Sequence, residues 1–119
     1  MLAYDDGVLE HAIYTGNYDE AKVALERNAK MIRASAEQTP LFRCIREPDP
    51  QGPTNWDNIA LLLIEMGAPL HYIDEQGNNI IFRQALDVRN MLIINRLLQH
   101  GIGISGEQRA HYEALLRPC

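Results

Sequence analysis

Three stretches of this chain end the same way, at nearly the same interval. "GNYDEAKVALERNAK" (16–30), "NWDNIALLLIEMGAP" (55–69) and "RNMLIINRLLQHGIG" (89–103) each place apolar residues at helical spacing over about three turns. They stop at Asn28, Gly67 and Gly101, which lie 39 and 34 residues apart. Glycine and asparagine are the residues that best tolerate the left-handed conformation closing a helix. A shorter helical pattern precedes each stretch, near "GVLEHAI" (7–13), "TPLFRCI" (39–45) and "NIIFRQA" (79–85). A lone helix pair of this size cannot bury its apolar face, so the pattern predicts pairs packed against one another. "IALLLI" (59–64) is apolar through more than a full turn, as a helix between two neighbours must be. The first stretch keeps a wet stripe of Asp19, Lys22 and Glu26, which suits an end of the stack.

This layout resembles the ankyrin repeat, a unit of about 33 residues made of a β-turn and two antiparallel helices. "TPLFRC" (39–44) is similar to the family's Thr-Pro-Leu-His-x-Ala box, with Phe42 for His and Cys44 for Ala. "LLLIEMGAPLHYIDEQGNNIIF" follows the family's second helix, Gly-Ala stop, Asp-x-x-Gly hairpin and next repeat start without a gap. The match weakens at Asn79-Ile80, which replaces Thr-Pro, and at Asn28, which replaces the stop glycine. The expected fold is all-α: one ankyrin-like helical solenoid with repeats at about 5–37, 38–77 and 78–104 and hairpin connections. A capping helix is expected over 105–117. Ser105 with Gln108 three residues on fits a capping box, and Tyr112, Leu115 and Leu116 are expected to cover the third unit.

The interval of 39 residues marks an insertion. Leu9 to Asn28 spans 19 residues and Ile81 to Gly101 spans 20, but Leu41 to Gly67 spans 26. The six or seven extra residues fall in "EPDPQGPTN" (47–55), between the two helices of the second unit. Insertions in repeat proteins map to loops on one face, often a binding face, and prolines lower the entropy such a loop loses on docking. Lengthening a loop also costs little, so filler is the competing reading. Trp56, with Ala60 and Leu63 on its side of the helix, is expected to anchor the loop's end.

The remaining chemistry is sparse. His11, His71, His100 and His111 form no zinc-like spacing with Cys, His or carboxylates. His100 sits where a helix-end cation belongs. The glycines of "GIGISG" (101–106) follow a helix rather than a strand, so they make no phosphate loop. Two cysteines make no disulfide framework. Cys44 reads as a small core residue, and Cys119 is the last residue. No catalytic set, cofactor or metal is expected. A net charge of −5 without a basic patch argues against nucleic acid and favours a basic protein partner. No run of the chain is apolar enough for a bilayer and the start is no secretory signal, so a monomeric, cytoplasmic protein without membrane contact is expected.

The resemblance implies that a folded partner is bound by hairpin tips and the exposed side of the first helices. Carried onto this sequence, the tips are Arg33 to Glu37 and Tyr72 to Gln76, with Asp74 and Glu75 at the second. The helix positions are Arg43, Arg46, Arg83 and Asp87, and the insertion adds Asp49 and Trp56. A narrower alternative is a dedicated inhibitor, such as an immunity protein, that neutralises one toxin, defence or regulatory protein.

Overall fold

The computed structural model describes residues 4–117, with the side chains of Tyr4 and Asp5 left aside. Cys119 lies outside the described residues. The helices are α1 (Tyr4–Thr15), α2 (Tyr18–Glu26), α3 (Pro40–Cys44), α4 (Asn55–Glu65), α5 (Ile80–Asp87), α6 (Met91–Gln99) and α7 (Gly106–Leu116). Among the described residues there is no strand, and the chain is all-helical. α1 packs on α2, α3 on α4 and α5 on α6. The second members of these pairs, α2, α4 and α6, touch in series, and so do α1, α3 and α5. Two helical layers result, with α7 laid on α5. The slab measures 45 × 36 × 19 Å.

Local chemistry sets the helix ends. Asn28, Gly67 and Gly101 have φ of 68°, 92° and 71°, so all three expected stops adopt the left-handed conformation. Behind two of them a backbone N–H reaches five residues back, Ala29 to Ala24 and Ala68 to Leu63, both at 3.0 Å. These bonds occupy carbonyls the helix would otherwise leave bare. At the starts, Thr39 and Asn79 do the same work: each side chain accepts from the N–H three residues on, Phe42 at 3.2 Å and Phe82 at 3.0 Å. Asn79 therefore replaces Thr39 in function as an N-cap, although the box around it looks degenerate.

The core runs between the layers and is nearly all aliphatic. Leu9, Ile13, Leu41, Ile45, Ile59, Leu63, Ile81, Phe82, Ile93 and Ile94 are sealed from solvent. Cys44 is buried with them, as its place in the apolar pattern predicts. No buried side-chain N or O among the described residues lacks a hydrogen-bond partner.

Three expectations need correction. The segment Arg33–Glu37 is not a hairpin tip: it bends and enters a 3-10 turn at Ala36–Gln38, stopped by the Thr39 hydroxyl on the Ala36 carbonyl (2.6 Å). Only the second connection makes a tight hairpin, with an isolated bridge between Ile73 and Asn79. Leu116 does not cover the third unit, for it is 55% exposed. Tyr112 and Leu115 do pack against the core as expected, Tyr112 edge-on to Phe82 with centroids 6.4 Å apart, and buried Gln108 joins them. The first helix is also longer than the 7–13 pattern at both ends, running from Tyr4 to Thr15.

Candidate functional site

The residues expected to meet a partner fall into three groups. The first gathers around Glu10 on α1. Arg33 donates to its Oε1 at 3.0 Å, and Arg43 reaches its Oε2. Arg33 also donates to the carbonyls of Lys30 and Ile32, and its side chain is only 16% exposed. Tyr72 extends the group across the next connection, its hydroxyl donating to the Arg33 carbonyl at 3.4 Å. Glu37, nearby in sequence, is exposed. Arg33 and Arg43 thus tie the first and second helix pairs together before they meet anything else.

The second group is the hairpin. Asp74 Oδ1 accepts from the N–H of Gln76 and of Asn78, both at 2.9 Å, while Oδ2 accepts from Arg83 at 3.1 Å. Asp74 is therefore the turn's own scaffold. Glu75 projects beside it, exposed, and Ile73 is 50% exposed. Asp87 stands apart from this hairpin, exposed on the rim of a cleft between α5 and α7 that Glu107 and His111 also line.

The third group is the insertion, residues 45–54 in the structure, which lies between α3 and α4 as the spacing predicts. Asp49 and Gly52 bridge across a tight turn, with the Gln51 N–H on Asp49 Oδ1 at 2.8 Å. At its exit Trp56 is half-buried. Its indole N–H donates to the Ile13 carbonyl at 2.7 Å, and the Arg46 guanidinium lies 4.5 Å from the ring centroid. The ring also presses on Gly16: a Cβ there would sit 2.9 Å from it, and the φ of +71° favours glycine as well. Trp56 is an anchor, as expected, though it grips α1 through a hydrogen bond as much as through packing.

Comparison with known proteins finds no match among family models, curated proteins or solved structures. The chain's own geometry must carry any functional reading.

That geometry includes residues that sequence reasoning missed. Glu10 is the hub of the first group, but its partners lie 23 and 33 residues away, and nothing local marks it. Asp57 is buried, closing a capping box with Thr54 while its Oδ1 accepts from Asn90 Nδ2 at 2.7 Å. The same Asn90 amide donates to the Arg46 carbonyl at 3.0 Å. Thr54-x-x-Asp57 was the available signal, being a Ser/Thr-x-x-Asp/Glu pattern before an apolar run. Ile32, at 68% exposure, is the most open large aliphatic side chain among the described residues. Among the described residues no three His, Cys, Asp or Glu side chains converge as a metal site would, and no helix is long and apolar enough to cross a membrane.

Burial pushes the Cys44 thiol up to about 12, against a weaker opposite pull from the guanidinium groups of Arg46 and Arg43. A thiol held protonated is a poor nucleophile.

Proposed function

We propose that this chain is an ankyrin-like stack of helix pairs, and that it binds a folded, basic protein partner without catalysing a reaction. The contact surface is the set of connections between pairs together with the exposed side of α1, α3 and α5. The observation that carries the reading is the exposure of Ile32 and Ile73, at 68% and 50%, on the first two of these connections. Each stands next to a charged residue already fixed by an ion pair, Arg33 on Glu10 and Asp74 on Arg83. Aliphatic side chains presented on a preset polar frame lose little entropy on docking. The net charge of −5 selects for basic surfaces during encounter. Because fold alone does not determine function, the reading rests on these side chains and on the repeat pattern together.

The test is capture of partners from host extract by the tagged protein, set against an Ile32→Asp, Ile73→Asp double variant. Both sites are open, so the helical circular dichroism should be unchanged while the captured protein is lost. Undiminished capture by the variant would remove this face from consideration. Arg43, Arg83 and Tyr72 are poorer probes, since each also holds the fold. Affinity separates a general module from a dedicated inhibitor: an inhibitor holds one partner at about nanomolar or tighter, near −12 kcal/mol.

A further inference from the structure

The opposite face, formed by α2 and α4, carries a groove that the proposed contact surface does not use. Two adjoining hollows of about 290 and 390 Å³ share Tyr18 as a common wall. Tyr18, Leu61 and Leu62, all half-buried, form the apolar floor of the first hollow, and Tyr18 alone carries it into the second, whose other walls are mostly polar. Each of the three packs against the core on one side and leaves the other side open to the groove. The inward stripe of α4 is supplied by Ile59, Ala60, Leu63 and Ile64, all buried, while Leu61 and Leu62 at its margin stay only half-buried and carry the apolar arc out to the surface.

The charges of the groove are one-sided and sit at its two ends. Asp19 and Glu65 are the only charged side chains lining it, and both are acidic. Asp19 lines the end next to Asn55, the first residue of α4, and Glu65 is that helix's last. At 1.5 Å per residue the two ends are ~15 Å apart, about three turns of a helix. Asp19 forms no ion pair among the described residues, and Glu65 stays 61% exposed although Arg96 reaches it at 2.6 Å.

We infer that this groove is a second docking surface, and that its occupant is an amphipathic helix of a partner protein. That helix lays an apolar stripe on Tyr18, Leu61 and Leu62 and sets a Lys or Arg near each end, about ten residues apart. An apolar groove that takes a helix by regularly spaced anchors is a recurring recognition mode, and the acidic ends supply the charge complementarity that fixes register.

The probe is a displayed library of 16-residue helical peptides with a fixed leucine stripe and randomised flanks. Selection on the whole protein should enrich Lys or Arg at both flanks, ten or eleven positions apart. A chosen peptide should bind at least tenfold more weakly to an Asp19→Lys, Glu65→Lys double variant and about threefold more weakly to Asp19→Asn. Glu65 pairs with Arg96 and Asp19 lies in the first turn of α2, so the double variant should melt somewhat below the parent; Asp19→Asn, which touches neither the ion pair nor the fold's core, is the variant that serves if the double one does not fold. Amide shifts should centre on Tyr18, Leu61 and Leu62, and the Ile32→Asp, Ile73→Asp variant should bind the peptide normally. That last result separates this groove from the surface proposed above. Failure to enrich any peptide, enrichment of neutral or acidic flanks, equal affinity in the charge variants, or occlusion of the groove by a second copy in sedimentation would each overturn the inference.

Discussion

Cys44 illustrates how a single side chain reports on packing. It stands in the apolar pattern of α3, is fully buried, and has its thiol raised from 9.0 to about 12 by that burial. The direction has a consequence for stability. Above pH 9 the unfolded chain releases the Cys44 proton while the folded chain keeps it. The folded state then binds more protons, and stability must fall as pH rises. The contribution is fully present below pH 9 and is lost between about pH 9 and 12. Its slope is about 1 kcal/mol per pH unit in that window. A Cys44→Ala variant pays a cavity cost at pH 7 but lacks this slope, so its deficit against the parent should narrow on going from pH 8 to pH 10.5. Urea unfolding at the two pH values checks this, and a constant deficit would mean that the thiol ionises as freely folded as unfolded.

At the scale of the element, the insertion between α3 and α4 is better described by what it ties than by its length. Trp56 at its exit bonds to Ile13 in α1, while Arg46 at its entry and Asp57 just past its exit bond to Asn90 before α6. The middle pair thereby holds both neighbours. Asn90 also caps α6, accepting from Ile93 at 3.2 Å, just as Asn17 caps α2, accepting from Glu20 at 3.0 Å. Loss of a cap alone costs about 1 kcal/mol, whereas leaving buried acceptors unpaired adds about 1–3 kcal/mol. Asn17→Ala should therefore destabilise by about 1 kcal/mol and Asn90→Ala by about 2–4 kcal/mol. Denaturant midpoints at constant slope measure the difference, and equal losses would show that the network across the insertion adds nothing. Much of this element scale was legible beforehand, because stops at Asn28, Gly67 and Gly101 and the place of the insertion depend on residues next to each other in sequence. What escaped was side-chain pairing across units. Glu10 with Arg33 and Arg43, and Asp57 with Asn90, are joined by packing at separations of 23 to 33 residues, which no periodicity encodes. The Arg33–Glu37 segment misled for a related reason: the Thr39 hydroxyl captures a carbonyl there and tightens the chain into a 3-10 turn rather than a hairpin.

For the molecule as a whole, the two ends of the layered stack are not equivalent. The first pair is held by Trp56 on Ile13, by Glu10 with two arginines, and by Asp6 Oδ1, which accepts from the Lys30 N–H at 2.6 Å. The far end is closed by α7 alone. That helix packs chiefly on α5, its Tyr112 hydroxyl also reaching Asn95 of α6 at 3.5 Å, and Gln108 is its only buried residue. Leu116, Glu113 and Ala114 face solvent. Its buried attachment is polar, beside the half-buried Tyr112 and Leu115: Gln108 Oε1 accepts from the Asn79 N–H at 2.9 Å and its Nε2 donates to the Asn79 carbonyl at 2.7 Å. A helix that buries so little apolar surface should open without the rest, since local opening free energies follow local burial. Amide exchange over α7 should proceed through an opening several kcal/mol cheaper than global unfolding, while amides of α4, α5 and α6 exchange only with the whole. Gln108→Leu then acts in two places. It removes the clasp, which makes α7 exchange faster, and it leaves the N–H of buried Asn79 unpaired, although the Asn79 carbonyl keeps the Arg83 N–H at 2.9 Å; the orphaned donor costs the remaining stack about 1–3 kcal/mol. Exchange of α7 at the global rate in the parent would show that this helix does not open on its own, and a Gln108→Leu change confined to α7 would show that the third pair does not depend on this polar clasp for its closure.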